Sequence, residues 1–192
     1  MNWEEGLLIL VNKLNPLRPE YVPPDLVVTG IPFPFEEDLP KKKMRREAAE
    51  ALEEMFENGE RDGIRLYGLS GYRSYQDQTR IFANNVHRCG EKEANRFSAR
   101  PGESEHQTGL AMDVTCASVG YELVEEFGGT PEGIWVQQNA PLYGFIIRYP
   151  REKEEVTGYI YEPWHLRYVG RQASMDITTK GMVLEEYLSI RK

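Results

Sequence analysis

The stretch Ser104-Glu105-His106-Gln107-Thr108-Gly109-Leu110-Ala111-Met112-Asp113 brings an imidazole, a glycine and a carboxylate close together in the chain. Apolar side chains alternate with other residues after Gly109, which predicts a strand over residues 109–115. Alternation places Ala111 and Asp113 on the same face of that strand. Asp113 is therefore expected to project from a rigid element, and the small side chain of Ala111 leaves room for a ligand.

A second motif, Glu162-Pro163-Trp164-His165, supplies another imidazole and another carboxylate far downstream. Together the two motifs offer His106, Asp113 and His165 as ligands for one zinc ion, since imidazole nitrogen and carboxylate oxygen both suit zinc. A catalytic zinc site has three protein ligands and one open position. Glu162 then remains as a general acid and base. The alternative role for Glu162 is to hydrogen-bond one of the histidine ligands.

Arg73 lies in the turn before a predicted helix. Ser74 is a suitable N-cap, Gln78 lies about one turn into the helix, and Ile81 and Phe82 are expected to form its buried face. The local sequence alone favours the interpretation of Arg73 as an arginine on a surface loop.

Composition limits the function classes. A chain of 192 residues with 40% hydrophobic and 28% charged residues is typical of one soluble globular domain. The net charge of −8 argues against binding to nucleic acid. No apolar run approaches the ~18 residues of a membrane span. Cys89 and Cys116 are expected to be free thiols, because two cysteines do not form a disulfide scaffold.

The first residues, Met1 to Glu5, are acidic, whereas an export signal begins with basic residues. We therefore expect a cytoplasmic protein if the chain is complete, and a cell-envelope protein if it is a piece of a longer, anchored one.

The predicted elements follow no regular strand-helix-strand alternation. Residues 12–40 are rich in proline and are expected to form an extended arm on the domain. The pattern predicts an α+β fold, with helices packed on a small, mostly antiparallel sheet. The predicted helices are 44–58, 74–82, 92–97, 131–142 and 184–190; the predicted strands are 7–11, 64–69, 109–115, 145–149, 159–161 and 164–169.

The two motifs resemble the signature of the VanY-type D-alanyl-D-alanine carboxypeptidases, which belong to subfamily B of the zinc peptidase family M15. The similarity extends to residues 70–74, 143–150 and 167–170, and to the two ends at residues 11–17 and 184–188, and so covers nearly the whole chain. It implies a hedgehog/DD-peptidase-like fold in a single domain over residues 1–192, with residues 1–40 as its packed N-terminal arm. It also implies one zinc ion on the three ligands proposed above and Glu162 as the catalytic base.

The same resemblance implies that Arg73, Gln78 and Ser104 bind substrate. Trp164 is either a wall of the pocket or a support for His165. The implied reaction removes the C-terminal D-alanine from a peptidoglycan stem peptide or its precursor, carried out by a monomer.

Three alternatives remain at this point. The first is an L,D-carboxypeptidase, because residues 94–113 are similar to members with that activity. The second is a dipeptidase and carboxypeptidase of the vancomycin-resistance type. The third, from another class, is a non-catalytic cell-wall binding module stabilised by zinc. An intact Glu162 and Arg73 argue against the third, because a purely structural zinc site needs neither.

Overall fold

The structure is a computed structural model and describes residues 6–190. Its six strands are β1 Leu26–Val28, β2 Lys43–Arg45, β3 Tyr67–Ser70, β4 Ala111–Thr115, β5 Phe145–Tyr149 and β6 Glu162–Tyr168. Its seven helices are α1 Arg46–Arg61, α2 Tyr75–Cys89, α3 Glu91–Phe97, α4 Pro131–Asn139, α5 Glu154–Thr157, α6 Arg171–Thr179 and α7 Leu184–Ser189. No helix in this part of the chain is long and apolar enough to span a membrane.

The main sheet has four strands in the order β3-β4-β6-β5, and every neighbouring pair is antiparallel. β1 and β2 form a separate antiparallel pair. This arrangement confirms the predicted α+β class with a small antiparallel sheet. The two central strands, β4 and β6, carry the two motifs found in the sequence.

The core lies between α1 and the sheet. Ala48, Leu52 and Met55 of α1 are fully buried, as are Met112 and Val114 of β4. Their spacing on α1 follows the helical period, so one apolar face turns towards the sheet. A smaller cluster packs α6 and α7 beside β5.

Strand β6 contains an irregularity that positions the second motif. The pairing with β5 passes from Ile147–Leu166 directly to Tyr149–Glu162, so β6 contributes more residues than β5 over this stretch. Pro163 lies within it and cannot donate a ladder hydrogen bond, which suits a bulge. The sequence predicted a break between two strands at this point, whereas the structure has one bulged strand that begins at Glu162.

Several predicted elements differ from the structure. The apolar run 7–11 is not a strand, because Ile9 and Val11 are buried in the core without a ladder partner. Residues 159–161 are likewise not a strand. Ile81 is 37% exposed, so it does not form the buried face predicted for α2. Helix α6 was not predicted, and the part of the predicted arm over residues 1–5 lies outside the described residues.

Candidate active site

The structure brings His106, Asp113 and His165 together. One nitrogen of each histidine and one carboxylate oxygen lie within 4.8 Å of one another. Asp113 Oδ2 is 3.3 Å from His106 Nε2, and Asp113 Oδ1 is 3.2 Å from His165 Nδ1. All three side chains are buried.

Each of these residues is fixed by regular backbone structure. Asp113 on β4 and His165 on β6 are direct partners in the antiparallel register, so their side chains share one face of the sheet. His106 lies in a short 3₁₀ turn over Glu105–Thr108, which ends at Gly109 with φ +66°. The turn folds His106 back over the start of β4.

A hydrogen-bond acceptor lies on the far side of each ring. His106 Nδ1 is 2.8 Å from the carbonyl oxygen of Gly71, which can only accept, so Nδ1 carries the proton and Nε2 has a free lone pair. His165 Nε2 is 3.4 Å from Glu105 Oε2. His106 Nε2 and His165 Nδ1 both face Asp113.

The donor set fits zinc. Asp113 Oδ1 is buried and has no hydrogen-bond partner, although it lies close to His165 Nδ1. A buried carboxylate that lies between two imidazole rings and has one unpartnered oxygen is the arrangement that a divalent cation would satisfy. His106, Asp113 and His165 would hold the ion.

Glu162 lies beside this cluster. Its Oε2 is 3.6 Å from His165 Nδ1, and the side chain is buried. Burial raises the pKa of Glu162 to about 8; His165 opposes this increase and Asp113 adds to it. A cation held by the three ligands would lower this pKa in turn, because positive charge favours the carboxylate.

Arg73 lies on the other side of Asp113, with Nη2 3.8 Å from Asp113 Oδ2. It donates hydrogen bonds to Gln78 Oε1 at 2.7 Å and to Ser70 Oγ at 3.0 Å. Gln78 is anchored in turn through Nε2 to the Ala99 carbonyl at 2.6 Å. As predicted, Ser74 caps α2 directly after Arg73. The Arg73 side chain therefore lies beside the His-Asp-His cluster and is held there by Gln78 and Ser70.

A cavity of about 350 Å³ joins these groups. Its lining contains every site residue predicted from the sequence: Arg73, Gln78, Ser104, His106, Asp113, Glu162, Trp164 and His165. Apolar side chains complete the wall, among them Ile81, Phe97 and Ile160. A ligand in this cavity would contact the cluster and Arg73 at the same time.

Sequence reasoning missed Glu105 and Tyr149, which also line the cavity. The Tyr149 ring packs 4.8 Å from the His165 ring. Glu105 is fully buried and accepts hydrogen bonds from Arg148 and Arg167. The sequence feature that could have indicated Glu105 is Arg148, an arginine within the apolar strand 145–149, because a buried charge requires a partner of opposite charge.

Comparison with known proteins gives a consistent result. The family model described as VanY, D-alanyl-D-alanine carboxypeptidase, matches residues 41–171. YodJ of Bacillus subtilis (strain 168), whose name assigns it provisionally to the carboxypeptidases, is 53% identical over 183 residues. That alignment covers 95% of this chain and 67% of YodJ, so the chain spans about two thirds of the length of this relative.

Two solved structures share the fold. The LdcB LD-carboxypeptidase matches with a TM-score of 0.92 at 51% identity, covering 98% of this chain and 88% of LdcB. A VanY D,D-pentapeptidase from a VanB-type resistance cassette, solved in complex with Zn(II), matches with a TM-score of 0.76 at 32% identity. That match covers 97% of this chain and 99% of the pentapeptidase.

The fold shared with these enzymes, together with the His-Asp-His cluster of this chain, defines a metallocarboxypeptidase domain that uses zinc. The chain belongs to the VanY family of D-alanyl-D-alanine carboxypeptidases.

Proposed function

We propose that this protein is a zinc-dependent carboxypeptidase that removes the C-terminal D-alanine from a peptidoglycan stem peptide. The observation that carries the proposal is the position of Arg73, whose guanidinium lies 3.8 Å from Asp113 in the same cavity as the metal-binding cluster. A carboxypeptidase must hold a free terminal carboxylate next to the bond that it cleaves. Arginine is suited to this, because its fork of donors matches a carboxylate.

Each residue has a proposed role. His106, Asp113 and His165 hold the zinc ion, which supplies Lewis-acid polarisation of a carbonyl and a lowered pKa for water when it is bound. Glu162 accepts the proton of the attacking water and then donates it to the amine of the departing D-alanine.

Substrate binding is assigned to the other polar groups of the cavity. Arg73 binds the terminal carboxylate, and Gln78 holds Arg73 in position. Ser104 and Trp164 line the cavity and are proposed to contact the peptide. The whole site is built from one chain, and we propose that the domain acts as a monomer.

The substrate specificity has two candidates, D,D-carboxypeptidase and L,D-carboxypeptidase activity. The likeness to LdcB, at 51% identity and a TM-score of 0.92, exceeds the likeness to the VanY pentapeptidase, at 32% and 0.76. Because of this greater similarity to LdcB, L,D-carboxypeptidase activity on tetrapeptide stems is the second candidate function.

The substrate also depends on the compartment. Mature stem peptides are in the cell envelope, whereas the UDP-linked precursor is in the cytoplasm.

The test measures D-alanine released from UDP-MurNAc-tetrapeptide, UDP-MurNAc-pentapeptide and free D-alanyl-D-alanine by the zinc-loaded protein. Release from the pentapeptide supports D,D-carboxypeptidase activity, and release from the tetrapeptide alone supports the L,D class. Cleavage of the free dipeptide identifies a dipeptidase of the resistance type.

Glu162→Gln is the decisive variant, with the exposed Glu155→Gln as its matched control. We expect Glu162→Gln to keep its zinc and lose about 10²–10⁴-fold in kcat, because it removes the proton acceptor. Glu155→Gln should retain wild-type activity. If wild type and Glu162→Gln are equally inert on all three substrates, the catalytic proposal fails and a zinc-stabilised binding module takes its place.

A further inference from the structure

Glu105 is a fully buried carboxylate that the proposed reaction does not use. It directly precedes His106 in the 3₁₀ turn, and its Oε2 lies 3.4 Å from His165 Nε2. It therefore contacts the side of the His165 ring that faces away from Asp113.

Two buried arginines hold this carboxylate. Arg148 Nε and Arg167 Nη1 each donate a hydrogen bond of 2.6 Å to the same oxygen, Glu105 Oε1. Oε2 is thereby left to accept from His165. Both guanidiniums are fully buried, so the charge of Glu105 is matched at short range.

The remaining donors of the arginines are also used. Arg148 makes a double hydrogen bond with Glu185 of α7, at 2.9 and 2.6 Å. Arg167 Nη2 donates to the carbonyl oxygens of Leu7 and Ile9, both at 2.8 Å. Because both guanidiniums are fixed from several directions, Glu105 has little freedom to turn away from His165.

We propose that Glu105 is a positioning residue that sets the tautomer and ring orientation of His165, with Arg148 and Arg167 as its support. An ionised carboxylate can only accept, so it keeps the proton on Nε2 and leaves the Nδ1 lone pair for the metal. The affinity for zinc then depends on a residue that is not itself a metal ligand. This inference rests on the metal-binding cluster of the proposed function.

Glu105→Gln tests the proposal while keeping the shape of the side chain. The amide oxygen would turn to the two arginines, and the amide NH₂ would face His165 Nε2. A donor would replace an acceptor at this nitrogen, which favours the opposite tautomer with the proton on Nδ1. We expect zinc affinity to fall about 10–100-fold, measured by competition with a chelating dye.

Glu186→Gln is the matched control, because Glu186 is the next residue on α7 but pairs with Lys153 instead of the two arginines. We expect this variant to lose that ion pair and to bind zinc within about threefold of wild type. Equal losses of zinc affinity in Glu105→Gln and Glu186→Gln would show a general structural effect and overturn the proposal, as would unchanged affinity in Glu105→Gln.

A second measurement needs no variant and does not depend on folding of Glu105→Gln. Long-range proton–nitrogen NMR of the zinc-loaded wild type reports which nitrogen of each of the three histidines carries the proton. The expected result is a proton on Nε2 of His165 and on Nδ1 of His106. A proton on Nδ1 of His165 would overturn the inference. Neither zinc affinity nor the NMR measurement depends on peptidase activity. These experiments can therefore contradict the role of Glu105 without contradicting the proposed reaction, and the peptidase assays can do the reverse.

Discussion

At the residue scale, the sequence indicated the candidate groups that lie in short motifs but not the residues that hold them in place. His106 and Asp113 could be identified because they share one decamer, and Glu162 and His165 because they share one tetrapeptide. Glu105 could not, because its partners Arg148 and Arg167 are 43 and 62 residues away along the chain. Only the fold brings them into contact.

Arg73→Lys tests the proposed carboxylate site. Lysine keeps the charge but loses the fixed fork of donors, together with the hydrogen bonds to Gln78 and Ser70. We expect KM for the stem peptide to rise about 10–100-fold, as the loss of one or two charge-assisted hydrogen bonds predicts. Steady-state kinetics provide the measurement, with the exposed Arg80→Lys as control. An unchanged KM would remove Arg73 from the binding site.

At the element scale, the sequence located β5 with its observed bounds and found α3 within one residue, since both have clear local patterns. It divided β6 at Pro163, because proline usually ends a strand. In the structure, Pro163 instead lies in a bulge of a continuous strand, and Glu162 Oε2 is 3.6 Å from His165 Nδ1. A bulge depends on the neighbouring strand, so the sequence of one strand does not show it.

The turn that carries His106 depends on Gly109. Gly109 and Gly120 have nearly the same backbone conformation, with φ of +66° and +65°. A Cβ on Gly109 would approach Leu26 Cδ2 to 2.8 Å, whereas a Cβ on Gly120 would meet nothing within 4 Å. Alanine at either position incurs the left-handed strain of about 1–2 kcal/mol.

We therefore expect Gly109→Ala to lower the free energy of unfolding by about 1–3 kcal/mol more than Gly120→Ala, because only Gly109→Ala overpacks its surroundings. Urea denaturation of both variants measures the difference. Equal losses would mean that packing at Gly109 does not restrain the turn.

At the scale of the whole molecule, the predicted arm is joined to the site by buried contacts. Ile9 is 4% exposed and lies in the main core, while Leu14, five positions further on, is 88% exposed. The carbonyl of Ile9 also binds Arg167, which supports Glu105. We therefore propose that the arm and the rest of the chain fold as a single domain.

Ile9→Ala and Leu14→Ala form a matched pair within the arm. We expect Ile9→Ala to cost about 2–5 kcal/mol in unfolding free energy, because it opens a cavity in the core. Leu14→Ala should remain within about 0.5 kcal/mol of wild type. Chemical denaturation compares the two. If Ile9→Ala is as neutral as Leu14→Ala, the arm is not part of the folding unit.

The most direct test of the central claim is D-alanine release before and after removal of the metal. The protein is treated with a chelator, dialysed, and assayed on the tetrapeptide and pentapeptide stems with increasing zinc. If zinc bound by His106, Asp113 and His165 is required for the reaction, D-alanine release is lost after chelation and restored at one equivalent of zinc per chain. Undiminished release from the zinc-free protein would contradict the account.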